Sequence, residues 1–166
     1  MGCLWILAAT AWGHGPTPQK SDSEITIQAP LAQVWEKLKS PSELCAWHPL
    51  VKRCELSGSV RTLELASGER FSEEVLEVDE QNHIVYVRQG QPNVLALPIS
   101  SYSYRLEAQD NGDGSVTVRW KARYYRGDTG NFPPPGLSDE AAVQAMDNWI
   151  KTGLKELKAA CEKTGS

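Results

Sequence analysis

The sequence predicts an α+β fold: a curved antiparallel sheet of six to seven strands wrapped around one long C-terminal helix, with two short helices after the first strand. Three observations predict it. Residues 138–164 form a single amphipathic stretch. Between residues 50 and 126 the chain alternates apolar and polar residues in segments broken by Gly, Asn, Asp and Pro. Helical spacing before that region is confined to residues 30–48. Strands clustered ahead of one helix argue segregated layers rather than repeating strand–helix units. A chain of 166 residues fits one domain and can bury a real core.

The last helix organises the rest. Val143, Met146, Ile150, Leu154, Leu157 and Cys161 recur three and four residues apart, on one helical face. Trp149 and Gly153 widen that face. Ser138 is placed to cap the start, and Asp139 and Glu140 sit where the helix dipole favours negative charge. Gly165 suits the stop. Such a stripe needs a broad apolar surface, which the strands supply.

From the start, residues 1–13 (MGCLWILAATAWG) carry no charged side chain. The run is too short to span a bilayer and matches the apolar region of an export signal, with a cut before His14. No Lys or Arg stands near Met1. Residues 14–23 are polar with Gly and Pro, and are expected as a flexible arm. The domain proper is expected over 24–164. Residues 24–28 alternate as a short strand. Pro30 opens a helix carrying Leu31, Val34, Trp35 and Leu38. Ser40-Pro41-Ser42-Glu43 reads as a capping box for a second helix bearing Leu44, Cys45 and Trp47. Strands follow over 50–56, 60–66, 70–78, 82–88, 99–108 and 115–126. In the last of these, Val116, Val118, Trp120, Ala122 and Tyr124 share one face. A Gly- and Pro-rich loop over 127–137 leads into the long helix.

The motif APLAQVWEKLKSPSELCAWHP at 29–49, together with this element order, resembles the opening of the START-like superfamily, also called the SRPBCC or polyketide cyclase/dehydrase-like group. Its helix-grip fold is the expected architecture. HGPTPQK at 14–20, LPISSYSYRL at 97–106, YYRGD at 124–128 and NFPPPGLSDEAAVQAM at 131–146 resemble its MxaD-like periplasmic branch, which serves methanol oxidation. The resemblance implies a periplasmic accessory protein with no catalytic residues and no cofactor of its own. Its implied partners are methanol dehydrogenase, its c-type cytochrome, or both.

The residues themselves add candidate sites. Arg61 shares strand parity with Leu63 and Leu65, and Glu73 with Phe71 and Val75. Buried, such a pair survives only if the charges meet. An internal ion pair fixing register is the favoured reading, and an anchor for a ligand head group the sharper one. Tyr102, Tyr104, Trp120 and Trp149 could line the same space, although core packing is the commoner role of aromatics there. In the loop before the last helix, Arg126, Asp128, Phe132, Pro133, Pro134 and Pro135 are partner-binding candidates, because a stiff proline run loses little order on binding. Beyond the leader the cysteines are Cys45, Cys54 and Cys161; every pairing leaves one thiol over, and buried free thiols are the expectation.

No metal-ligand, P-loop, GxGxxG or GxSxG pattern occurs. His48 has no acidic or nucleophilic partner by spacing. His14 as a new N-terminus is weak ground for a copper site. A net charge of -4 with no basic stripe argues against nucleic acid. Three function classes therefore stand: the accessory protein, a carrier or sensor of a small apolar ligand in the grip cavity, and a cyclase-like enzyme using Arg61, Glu73 or Tyr102.

Overall fold

The structure, a computed structural model, describes residues 15–163. The export signal, the His14 end and the Gly165 stop lie outside the described residues. The chain runs β1 (Gln19–Ile27), α1 (Leu31–Lys39), α2 (Glu43–Trp47), β2 (Val51–Ser57), β3 (Val60–Leu65), β4 (Arg70–Asp79), β5 (Ile84–Gln89), β6 (Ile99–Asp110), β7 (Val116–Arg126) and α3 (Asp139–Lys163). The seven strands form one antiparallel sheet in the order β1-β7-β6-β5-β4-β3-β2. This is the helix-grip arrangement: α3 packs on β1 and β7, and α1 and α2 lie against the sheet and α3.

Periodicity explains most of it. Val116, Val118, Trp120, Ala122 and Tyr124 all point inward and are buried. On α3 the buried face is Ala142, Met146, Trp149, Ile150, Gly153, Leu154, Leu157 and Cys161. Val143 sits only at its margin. The Ser138 hydroxyl accepts from Ala141 N at 3.2 Å, the expected cap.

Four local expectations are corrected. First, β1 begins at Gln19, so the arm expected over 14–23 is strand from residue 19 onward. Its polar side chains hide a buried anchor: Ser21 Oγ donates to Asp147 Oδ1 of α3 at 2.6 Å and accepts from Tyr124 Oη at 2.8 Å. Second, the Ser40–Glu43 capping box does not form. Helix α2 spans only Glu43–Trp47, its N-cap is Ser42, and no side chain caps it. Third, β5 starts at Ile84 rather than residue 82. Asp79 accepts from Gln81 N and Asn82 N and holds a turn through His83, at φ 55°. Fourth, Cys45 and Cys54 are not free thiols but a disulfide with Cα atoms 5.9 Å apart, joining α2 to β2. Cys161 is buried outside it.

Candidate functional site

The inward faces of β3, β4 and β6 bring together the polar residues singled out by strand parity. Arg61 and Glu73 are register partners on β3 and β4. Both are buried, at 3% and 0% exposure. Arg61 Nε donates to Glu73 Oε2 at 2.8 Å, and its Nη2 lies 2.7 Å from the same oxygen. Tyr102 Oη donates to Glu73 Oε1 at 2.6 Å and Tyr104 Oη to Oε2 at 3.1 Å. Arg61 Nη2 also donates to Tyr104 Oη at 2.6 Å. Its Nη1 donates to the Pro41 carbonyl at 3.1 Å, which ties the segment before α2 to the network.

The electrostatics follow. Burial would lower the Arg61 pKa, but Tyr104 and Glu73 beside it outweigh that and hold it firmly protonated. Burial, with the Glu73 carboxylate adding to it, pushes the Tyr102 phenol well above its ordinary range. Tyr104 is likewise pushed up by burial, against the opposing pull of Arg61. Both phenols are therefore neutral donors. Arg61 and Glu73 spend their polar atoms on one another, the phenols and Pro41, which is what a buried ion pair needs.

Beside this quartet lies an aromatic cluster. His48, just past α2, stacks on Trp149 of α3 with ring centroids 3.9 Å apart. Leu50 N donates to its Nδ1 at 3.3 Å, so Nε2 carries the proton and donates to the Trp149 carbonyl at 3.1 Å. Burial lowers its pKa from 6.5 to about 4; the Trp149 carbonyl opposes this and Arg61 adds to it. Trp120 meets Tyr104 and Trp47 at centroid distances of 5.1 and 6.3 Å.

Gly153 explains how α3 comes so close. A Cβ there would stand 2.8 Å from His48 Cδ2 and 3.0 Å from Trp120 Cζ3. Gly153→Ala is expected to destabilise the fold by about 1–3 kcal/mol through overpacking. Helix propensity alone would predict a gain of about 1 kcal/mol. Urea denaturation of the variant decides between the two signs.

The six cavity candidates thus sit together, and the structure closes around them. Arg61, Glu73, Tyr102, Tyr104, Trp120 and Trp149 are each 0–6% exposed. Among the described residues, no group of three or more His, Cys, Asp or Glu could hold a metal ion. Sequence reasoning did not single out the packing role of His48; its place between Trp47 and Pro49, where α2 ends, was the available signal.

The loop candidates separate into two kinds. Arg126 is buried and organises the loop. Its Nε donates to Asp128 O at 2.7 Å, Nη2 to Gly130 O at 2.8 Å and Nη1 to Asp139 Oδ2 at 3.0 Å. Asp128 Oδ1 accepts from Gly130 N at 2.7 Å. Both act within the protein. Phe132, by contrast, is 95% exposed on this clamped loop. Pro134 and Pro135 are exposed beside it and Pro133 is half-buried.

Residues 18–162 match the family described as polyketide cyclase / dehydrase and lipid transport. The chain belongs to that family. Solved structures share its architecture across most of their length. The protein XoxI from Bacillus cereus is 19% identical, with 89% of this chain and 98% of that one covered and a TM-score of 0.74. The Zhui aromatase/cyclase from Streptomyces sp. R1128 is 15% identical, with 90% and 97% covered and a TM-score of 0.72. Norcoclaurine synthase from Thalictrum flavum, solved with a transition state analogue, is 13% identical, with 91% and 98% covered and a TM-score of 0.70. At these identities the likeness is one of fold. Proteins with this fold include an aromatase/cyclase and a synthase, and the fold is compatible with small-ligand binding. No helix among the described residues is long and apolar enough to cross a membrane.

Proposed function

We propose that this protein is a non-catalytic periplasmic accessory factor of methanol oxidation, acting through its surface on methanol dehydrogenase or on that enzyme's electron transfer to a c-type cytochrome. The observation that supports the surface-acting part is the burial and mutual bonding of the quartet. The quartet that would grip a ligand is hydrogen-bonded to itself and to Pro41. The methanol-oxidation part rests on the resemblance of the 14–20, 97–106, 124–128 and 131–146 motifs. Export is supported by the apolar leader and by the Cys45–Cys54 bond, since disulfides persist in oxidising compartments. Phe132, exposed on the loop that Arg126 organises, is a further surface element suited to a partner, because aromatic side chains are common binding anchors.

The test is cytochrome reduction by methanol dehydrogenase with and without the purified mature protein. A faster rate at near-stoichiometric amounts is expected, and Phe132→Ala should reduce the gain. An unchanged rate with both partners active contradicts the reading. One observation favours the ligand-carrier reading instead: Trp120 Nε1 is a buried donor without a hydrogen-bond partner among the described residues. A small acceptor bound there would satisfy it.

A further inference from the structure

The outer face of the sheet, turned away from α3, holds an arrangement of charge that costs stability. Lys20 of β1 stands directly opposite Arg123 of β7. On the other side of β7, Lys121 stands opposite Arg105 of β6. Like charges directly across neighbouring strands destabilise a sheet. Nearby cations are neutralised: Asp22 grips Arg119 at 2.7 and 2.6 Å, and Glu74 grips Arg88 at 2.8 and 2.6 Å. Lys20 and Arg123 have no ion-pair partner among the described residues. Lys121 reaches Asp22, and Arg105 reaches Glu107, only at 3.9 Å.

These four cations frame a depression of about 450 Å³ that also contains Leu76, Tyr86 and Asp22, the last standing across from Lys121 with its carboxylate held by Arg119. Leu76 is there because the register of β4 and β5 shifts between Val75 and Glu77. Such a bulge re-aims a side chain, and Leu76 is left 51% exposed. Every lining residue belongs to β1, β4, β5, β6 or β7, so no helix or loop roofs the depression. A small ligand would keep much of its surface in water, whereas pockets for such ligands bury most of it. A second protein supplies its own roof.

We infer that this face docks an acidic protein surface, whose carboxylates seat on the Lys20–Arg123 and Lys121–Arg105 pairs around an apolar side chain resting on Leu76 and Tyr86. The inference rests on the surface-acting reading above and adds the chemistry of the partner. Arginine forks take carboxylates bidentately. The protein's net charge of -4 leaves its other surfaces to repel an acidic partner, so the patch also orients the encounter.

The probe is a fluorescein-labelled peptide of alternating Glu and Leu, followed by anisotropy at about 20 and about 200 mM salt. Saturable binding is expected, weakened at least tenfold by the added salt. Arg123→Glu and, separately, Lys20→Glu should each weaken it at least tenfold without lowering the melting temperature, since each turns a like-charge pair into an opposite one. Absence of peptide binding, or binding that both variants retain, overturns the inference. So does tight binding of benzoate at this face with which the peptide cannot compete. The accessory reading is judged separately by cytochrome reduction: peptide binding without an effect on that rate supports the acidic docking face and sinks the accessory role.

Discussion

Glu73→Gln is expected to destabilise the protein by about 3–5 kcal/mol, because it leaves a buried guanidinium without its counter-charge. The change keeps shape and volume. It converts a carboxylate that accepts from Arg61, Tyr102 and Tyr104 into an amide that must also donate. Arg61, fully buried and held protonated, cannot shed its charge to escape. Replacing both charges behaves differently. Arg61→Met combined with Glu73→Leu, Tyr102→Phe and Tyr104→Phe, which leaves no phenol unpaired, should lie closer to the wild type than Glu73→Gln alone, since well-packed apolar groups often match a buried ion pair. Urea unfolding of the single and combined variants measures this. A single variant as stable as the wild type would mean the pair is not bonded as described.

The second large effect is set by pH. His48 is buried neutral, its pKa lowered by burial from 6.5 to about 4. In the unfolded chain it takes up a proton near 6.5, while the folded protein resists until about 4. The unfolded state therefore binds more protons in that window, and stability falls as pH falls through it. Above 6.5 both states are neutral and the effect is absent; below about 4 it is complete. At 1.36 kcal/mol per pH unit the loss reaches about 3 kcal/mol. His48→Gln should remove this slope between pH 6.5 and 4, even if it lowers stability overall by losing the stack on Trp149. Thermal midpoints of both proteins across that range check it. Equal slopes would place the acid sensitivity elsewhere.

Much of this site was legible in the strands. Arg61 and Glu73 share parity with Leu63, Leu65, Phe71 and Val75, and that alone puts two charges on the buried face. Parity says nothing of partners that arrive from distant segments. The Pro41 carbonyl and the tyrosines of β6 reach Arg61 and Glu73 only because the sheet curls. The same limit hid the Cys45–Cys54 bond, where a cysteine on the apolar face of α2 and one among charged residues of β2 are brought together by the turn from α2 into β2. It hid the start of β1 as well. Lys20 to Ser23 read as a solvated arm because the inward side chains, Ser21 and Ser23, are polar, and Ser21 is buried only through Tyr124 and Asp147. The capping box at Ser40 failed for a different reason: α2 has five residues, too few for a cap to organise. Arg126 looked like a surface residue because its loop is rich in Gly and Pro. Its bonds to Asp128, Gly130 and Asp139 are made by the loop folding back, which no spacing encodes.

The central claim is that the interior is closed by its own side chains and that function lies on the surface. Native mass spectrometry of the mature protein, purified from its own host without organic solvent, tests it most directly. A single species is expected, at the mass of the polypeptide with its Cys45–Cys54 bond intact. A stoichiometric additional mass, released on unfolding and lost in a Trp120→Phe variant, would contradict it and make the protein a carrier.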